Sequence, residues 1–515
     1  MSIFKTTYVM GVDIGTQSLK VGIYNSQGDN ILIEREKLYT NYYKNGYVEQ
    51  DPYGWWEALK NCMDRIHKNI DTSKIKAITV CATSSTVLLT DEKLEPIGNA
   101  IMWMDQRNIN EEEKINTEKN IEDTLKYSGG KVSVEWMITK SLWLNYHHDL
   151  SNKYIVEQLD WINYKLTNKL VASACNASCK WNYVKSEGGF NRAYYEKIGM
   201  ENILNHWPDE VLNVGDNIGK LTESSSVELG LNPDTQVFQG GIDAHIGMIG
   251  SRAVDYGILS LITGTSFVHL IHHNEKVFQS NMWGPYDSPL IDNYWLLEGG
   301  QLSAGSIISW FLREHYEDRT DIDKVFDELN HRASLIEIGS EGLLTLDHWQ
   351  GNRTPYRDPH AKGAIIGLTL AHDKYHIYRS ILESIALGTT NVIKTMQDLD
   401  IPLTKIVVGG GLTQNHLLMQ MISDCANIPI YVTNDAETSV KGAAIVASYG
   451  LGFYNTLQNA SNEMTCLTLT YKPDAIKYAK YQVLYDKYIK LNEILNPFIR
   501  DFNKRKKVEN NVNIT

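Results

Sequence analysis

Val9-Met10-Gly11-Val12-Asp13-Ile14-Gly15-Thr16-Gln17-Ser18-Leu19-Lys20-Val21-Gly22-Ile23-Tyr24 sets two apolar runs around a turn that carries one carboxylate, one glycine, hydroxyls and a base. Val9 to Val12 and Val21 to Tyr24 read as adjacent strands, and Gly15 lets the turn bring backbone N–H groups close to an anion. Asp13 cannot itself attract phosphate. A role for it there runs through Mg²⁺, which favours hard oxygen ligands and bridges carboxylates to phosphate oxygens. A turn that uses Asp and Gly merely to reverse the chain fits the same residues.

The pattern returns in the second half. Gly257-Ile258-Leu259-Ser260-Leu261-Ile262-Thr263-Gly264-Thr265-Ser266-Phe267-Val268-His269-Leu270 again reads as strand, Gly-hydroxyl-hydroxyl turn, strand. Such turns are common, so chance similarity stays open beside internal duplication. Duplication implies two similar domains facing each other across a cleft, with a nucleotide phosphate chain between them.

At 515 residues the chain is too long for one compact core and suits two large domains. Its 43% hydrophobic and 22% charged residues are ordinary for a soluble globular protein. No basic-then-apolar leader opens the sequence and no apolar run is long enough to span a bilayer, so the expected location is cytoplasmic, with no membrane partner. Cys62, Cys81, Cys175, Cys179, Cys425 and Cys466 form no CxxC pair, which indicates neither a disulfide framework nor a zinc site. Most of them read as buried small apolar residues. A formal charge of -13 argues against nucleic acid as a partner, and a polyanionic cosubstrate must then be met by Mg²⁺, Lys and backbone amides.

Asp51-Pro52 starts a helix containing Trp55, Trp56, Leu59 and Ile66, and Lys76 to Ala82 is a strand, giving a β-β-α-β progression and a mixed sheet covered by helices. Asn108 to Leu231 is helical, charged and aromatic, and reads as a cap or insertion rather than sheet. Gly240-Gly241-Ile242-Asp243 is the expected hinge. Asp373 to Met396 is an amphipathic helix. Lys405 to Val408 is a strand, Asn415 to Cys425 a helix, Ile430 to Val432 a strand and Ser439 to Tyr449 a helix. The tail from Lys504 to Thr515 is expected to fray.

Asp243 follows a glycine pair and precedes an apolar helical run, which suits either a helix N-cap or a base held at a helix start. Phosphoryl transfer passes through a loose transition state in which the attacking oxygen needs orientation more than early deprotonation, a task for a positioned carboxylate. His245 is adjacent, but helix neighbours face apart, so no role is assigned to it. Gly409-Gly410-Gly411-Leu412-Thr413-Gln414-Asn415 offers backbone N–H groups at a helix start, without the order of a dinucleotide fingerprint or a P-loop. Glu437 with Gly442-Ala443-Ala444 offers small residues against which adenine could lie, and helix packing explains them equally well. Ala82-Thr83-Ser84-Ser85-Thr86-Val87 and Trp103-Met104-Asp105-Gln106-Arg107 supply the hydroxyls, carboxylate and aromatic face that recognise sugars; a strand end with an exposed Asp-Arg pair would look similar. Lys180 and Glu298 are single charges in apolar or small-residue surroundings.

Taken together, these segments resemble the FGGY family of carbohydrate kinases over essentially the whole chain, from Asp13-Ile14-Gly15-Thr16 to Gly442-Ala443-Ala444. The resemblance implies an α/β fold of two actin-like (ribonuclease H-like, hexokinase-type) ATPase domains with an interdomain cleft. Residues 1–253 would bind sugar and carry the first phosphate turn and catalytic Asp, and residues 254–515 would bind nucleotide. It implies Asp243 as catalytic base, Asp13 and Asp243 as Mg²⁺ ligands, and Gly15, Thr16, Gln17, Lys20, Gly264, Thr265, Ser266, Gly410, Gly411 and Asn415 around ATP. Thr83, Ser84, Ser85, Asp105, Lys180, Asp243 and Glu298 would bind the sugar.

Within the family, Cys179-Lys180-Trp181, Trp283-Gly284-Pro285-Tyr286, Glu298-Gly299-Gly300-Gln301 and Gly351-Asn352-Arg353-Thr354-Pro355 resemble the D-ribulokinase-like branch. Ser84 and Thr86 stand where that branch has Cys and Leu, which bears on which ketose or polyol is taken. Lys20 stands where many relatives have Arg, keeping the charge but losing the bidentate fork. The expected activity is ATP-dependent phosphorylation of a terminal sugar hydroxyl, D-ribulose to D-ribulose 5-phosphate, and the resemblance suggests a homodimer. Alternatives are a xylulokinase or another ketose or polyol kinase, an actin-like ATPase switch, chaperone or filament subunit, and a silent sugar sensor.

Overall fold

The computed structural model describes residues 7–316 and 321–512, with side chains to Asp501. By packing, the chain divides into two compact units. One comprises Met1–Tyr256, Ile271–Leu297 and Thr433–Cys466; the other comprises Gly257–Leu270, Glu298–Val432 and Leu467–Thr515. Among the described residues no helix is long and apolar enough to cross a membrane.

The first unit is built on a six-stranded sheet ordered Asn217–Lys220, Gln236–Phe238, Ile75–Ala82, Tyr8–Ile14, Ser18–Asn25, Asn30–Lys37. Tyr8–Ile14 pairs antiparallel with Ser18–Asn25 and parallel with Ile75–Ala82. Strand alternation sends Met10, Val12 and Ile14 into one core and Val9 into another. The first core is closed by the Pro52–His67 helix, whose N-terminus is capped by Asp51 and which buries Trp55, Trp56, Leu59, Met63 and Ile66. Each such burial contributes about 1.5–3 kcal/mol. The opposite face takes the Thr438–Gly450 helix. There a Cβ on Gly11 would stand 2.2 Å from the Val440 carbonyl oxygen, so only glycine permits this approach of helix to strand.

In the second unit Ile258–Thr263 pairs antiparallel with its hairpin partner, Ser260 opposite Leu270 and Thr263 opposite Phe267. It pairs parallel with Lys405–Gly410, which is parallel in turn to Ile430–Thr433. Each unit thus contains an antiparallel hairpin whose first strand adds a parallel neighbour on its other edge, the local order that duplication implies. The Lys374–Gln397 helix is capped by Asp373, which accepts from Tyr375 and His376 N–H, and is buried along most of its length.

Three expectations are corrected. The 108–231 region is not free of sheet: Tyr154–Glu157 pairs with Val87–Thr90, and Asn217–Lys220 forms an edge of the main sheet. Its short strands are masked by surrounding helical periodicity. Gly240 and Gly241 are not loose. A Cβ on Gly240 would lie 1.9 Å from the Val80 carbonyl oxygen and one on Gly241 2.8 Å from Cys175 Cβ, so both serve close packing. The tail expected to fray from Lys504 is helical through Val512, and 513–515 lie outside the described residues.

Candidate active site

Period-two alternation also places the acids. Asp13 lies on the Val9–Gly11 face of its strand, directly opposite Lys20 in the hairpin register, and both look toward the Thr438–Gly450 helix. Lys20 Nζ lies 3.7 Å from Asp13 Oδ2 and 2.6 Å from Glu437 Oε2. Burial lifts the Asp13 carboxyl above the usual range against the pull of Lys20, and Glu437 pushes the same way. Burial alone would lower the Lys20 amine, yet Asp13 and Glu437 hold it above its ordinary value.

Asp243 is the first residue of the Asp243–Gly250 helix, with Ile242 rather than Asp243 in the cap position. Its Oδ1 accepts from Ala244 N–H at 2.7 Å. Burial, then the charge of Asp13, push its carboxyl up to about 7. Two carboxylates far apart in sequence therefore share one electrostatic neighbourhood, where each raises the cost of ionising the other. With hard oxygen donors only, this pair has the donor chemistry of a Mg²⁺ site.

The hydroxyl segment after Ile75–Ala82 is tightly organised. Thr83 and Thr86 hydroxyls bond each other at 2.8 Å, Thr83 also donates to Gln158, and Ser85 sits at φ 60. Ser84 Oγ is buried with no protein partner, leaving a hydroxyl to be satisfied. Trp103 Nε1 donates to Thr16 Oγ1 at 3.0 Å and Gln50 Nε2 donates to the Thr16 carbonyl at 2.7 Å, so the first turn and the Trp103 segment meet. Asp105 is placed differently. Oδ1 accepts from Arg107 N–H and Nε, and Oδ2 from Val48 N–H and Arg107 Nη2. With about four acceptor sites filled, this buried carboxylate braces the loop. Lys180 ends its helix with Nζ 5.4 Å from the Trp136 ring centroid and 5.7 Å from that of Tyr286.

Within the second unit, Gly264 and Thr265 are exposed at the hairpin turn. Ser306 N–H donates to the Thr265 carbonyl at 3.0 Å and Gly305 N–H to that of Gly264 at 3.2 Å, seating the start of the Gly305–His315 helix on the turn. Ile262 and Thr263 lie opposite Gly409 and Gly410, so the turn and the glycine loop share one end of the sheet. Gly410 has φ 97, and a Cβ there would stand 2.0 Å from the Thr263 carbonyl oxygen. Gly411 is open, while Asn415 caps the His416–Ala426 helix by accepting from Leu418 N–H at 3.0 Å. Glu298 is buried on the Trp295–Gln301 strand. Gly442-Ala443-Ala444 are packing residues: a Cβ on Gly442 would meet the Ile246 carbonyl oxygen at 1.9 Å, which leaves no space for adenine there.

Two charged residues were not singled out in the sequence. Lys140, buried in the Met137–His147 helix, donates to the Ser85 carbonyl at 2.6 Å and to the Trp103 carbonyl at 3.1 Å, joining the segments that carry them. Burial pulls its amine down to about 7. Glu157, also buried, accepts from Ser85 N–H, Asn176 Nδ2 and Trp181 Nε1. A lone Lys inside an apolar helix was the available signal. The cysteines also depart from expectation. Without any CxxC pair, Cys175 and Cys179 still converge with His245, all buried. Burial would raise the Cys175 thiol, yet the Cys179 hydrogen bond and His245 bring it down to about 5.

Residues 8–250 match the profile of the FGGY family of carbohydrate kinases, N-terminal domain, and residues 259–451 match that of its C-terminal domain. The chain is 28% identical to an FGGY carbohydrate kinase domain-containing protein of Xenopus laevis, over 94% of this chain and 96% of that one. It is 28% identical to a ribulokinase of Halalkalibacterium halodurans, over 98% of this chain and 97% of that one. In fold it is similar to the ligand-bound xylulose kinase of Lactobacillus acidophilus, with TM-score 0.86 and 21% identity over 96% of this chain and 100% of that one.

Proposed function

The chain belongs to the FGGY family of carbohydrate kinases, ATP-dependent phosphotransferases, and from that premise we propose that it phosphorylates a ketopentose, converting D-ribulose to D-ribulose 5-phosphate. The observation that carries this reading is Asp243, a carboxylate at a helix start whose proton affinity burial and Asp13 bring to about 7. A base poised there orients the attacking hydroxyl and accepts its proton as the phosphoryl group transfers. Asp13 and Asp243 would hold Mg²⁺, which supplies charge neutralisation at the phosphoryl oxygens when bound. Lys20 adds a point charge beside them. In the second unit, Gly264, Thr265, Ser266, Gly410, Gly411 and Asn415 would hold the nucleotide through backbone N–H groups, with Gly410 needed for its backbone conformation.

Ser84 and Ser85 would meet the sugar hydroxyls, the buried and unpaired Ser84 Oγ being a ready partner. Lys180 adds a charge to the proposed polar set of the first unit, and Lys140 and Glu157 hold Ser85 by its carbonyl and N–H; in the second unit Glu298 is the sugar-binding acid that the resemblance implies. The choice of ribulose is supported by similarity to proteins named ribulokinase over 98% and 97% of this chain, and the D form by the segments that resemble the D-ribulokinase-like branch. Coupled measurement of ADP release over D-ribulose, L-ribulose, D-xylulose and erythritol tests it. The expected result is sugar-dependent release with the highest kcat/KM for D-ribulose. A higher value for another ketose or polyol reassigns the substrate, and sugar-independent release favours an ATPase switch.

A further inference from the structure

Cys175, Cys179 and His245 form a buried cluster outside the residues assigned to phosphoryl transfer. Cys175 and Cys179 are four residues apart on the Ala174–Lys180 helix, so both sulfurs lie on one face. His245 stands one half-turn past Asp243 on its own helix and turns the other way. Its Nδ1 lies 3.3 Å from Cys175 Sγ and 3.7 Å from Cys179 Sγ. All three donor atoms fall within 4.8 Å of one another. The approach is built in, since a Cβ on Gly241 would lie 2.9 Å from Cys175 Sγ.

We propose that Cys175, Cys179 and His245 form a binding site for a zinc-class divalent cation, which ties the helix ending at Lys180 to the helix starting at Asp243. Tetrahedral bonds of about 2.3 Å to sulfur and about 2.0 Å to nitrogen put S and N about 3.5 Å apart, midway between the two observed separations. Charge selects the ion further. On binding, the two thiol protons leave to solvent, and two thiolates, a neutral imidazole and M²⁺ sum to zero. A neutral assembly suits this sealed position, whereas a monovalent ion would leave a buried net charge. Thiolate donors also separate this site from the oxygen-only pair Asp13 and Asp243, which favours Mg²⁺. Three protein ligands leave the fourth position to a non-protein donor.

Because the ligands are sealed from solvent, the ion is supplied while the full chain is being expressed, as Zn²⁺ in one preparation and Co²⁺ in another, followed by dialysis against excess Mg²⁺. The expected result is about one Zn²⁺ per chain, and for Co²⁺ an intense thiolate-to-metal charge-transfer band with tetrahedral d–d absorption. Cys175→Ser and Cys179→Ser should each abolish that band and cut retained zinc at least about tenfold. Charge transfer absent from the wild-type Co²⁺ protein overturns the proposal and leaves a thiol–imidazole hydrogen bond. Because that reading needs no variant, it decides the matter even where a substitution prevents folding. Zinc retention unchanged in both variants also overturns it.

Discussion

The two hairpin turns share a scaffold and differ in chemistry. In the first unit the turn follows Asp13, whose register partner Lys20 reaches Glu437, so charge is concentrated at the strand ends. In the second, Gly264-Thr265-Ser266 carries no charge, and the neighbouring strand supplies Gly410 in a left-handed conformation. The same pairing pattern therefore carries a charged cluster in one unit and an uncharged turn beside Gly410 in the other. A duplicated sheet fixes where a turn projects, while a few residues decide whether it offers carboxylates or N–H groups.

The comparison breaks most readily at Asp243. Asp243→Asn keeps the shape and removes the base, and kcat should fall about 10²–10⁴-fold with nucleotide affinity little changed. Steady-state kinetics and ATP titration check both parts, and near-normal turnover would remove Asp243 from the base role. Glycine gives the next test. Gly410→Ala places a Cβ 2.0 Å from a carbonyl oxygen at φ 97 and should cost about 3 kcal/mol or more. At Gly15 the nearest obstacle to a Cβ is the Ser18 carbonyl oxygen at 3.4 Å, so Gly15→Ala should cost under about 1 kcal/mol. Denaturant unfolding of both variants measures the contrast.

That contrast shows what the sequence makes legible. The hairpins read correctly because alternation and β-branched runs are local, and the helices starting at Asp51-Pro52 and Asp373 read correctly because helix periodicity and start signals are local too. Gly15 and Gly410 look alike in a string of letters, and only the folded chain separates them, by the positive φ of Gly410 and its distance to a neighbouring strand. Asp105 looked available for a ligand, since nothing local shows that Val48 N–H and Arg107 fill its acceptors. The roles of Lys140 and Glu157 are hidden for the same reason, because their partners lie many residues away, although a lone Lys in an apolar helix marks the first. Asp13 and Asp243 came together because the family resemblance carried long-range information that spacing lacks.

Lys140 provides a pH test of the hydroxyl-bearing segment. Unfolded, its amine titrates near the ordinary 10.5; folded, near 7. Between these values the unfolded chain holds the extra proton, so raising the pH favours the folded state. The Lys140 contribution to stability should rise from pH 7 toward pH 10 and be absent below pH 7. Lys140→Met should flatten that rise relative to the wild type. Denaturant midpoints at several pH values read the difference, and an unchanged slope would show that Lys140 keeps its proton when buried.

The smallest effect is expected at Glu437, and it tests whether charge at the first turn serves chemistry or folding. Glu437 and Lys20 side chains are 24% and 21% exposed, so solvent screens their pair and Glu437→Gln should change stability by less than about 1 kcal/mol. Its electrostatic effect runs the other way from its structural one. Removing that negative charge relieves the push on Asp13, so the Asp13 carboxyl should titrate lower while Lys20 turns more fully to it. Carboxylate NMR titration follows the shift, and denaturation follows the stability. A loss of several kcal/mol would instead mean that the ion pair holds the turn in place. The charged turn would then be a structural brace, and its difference from the amide-bearing turn of the second unit would lie in folding rather than in phosphate chemistry.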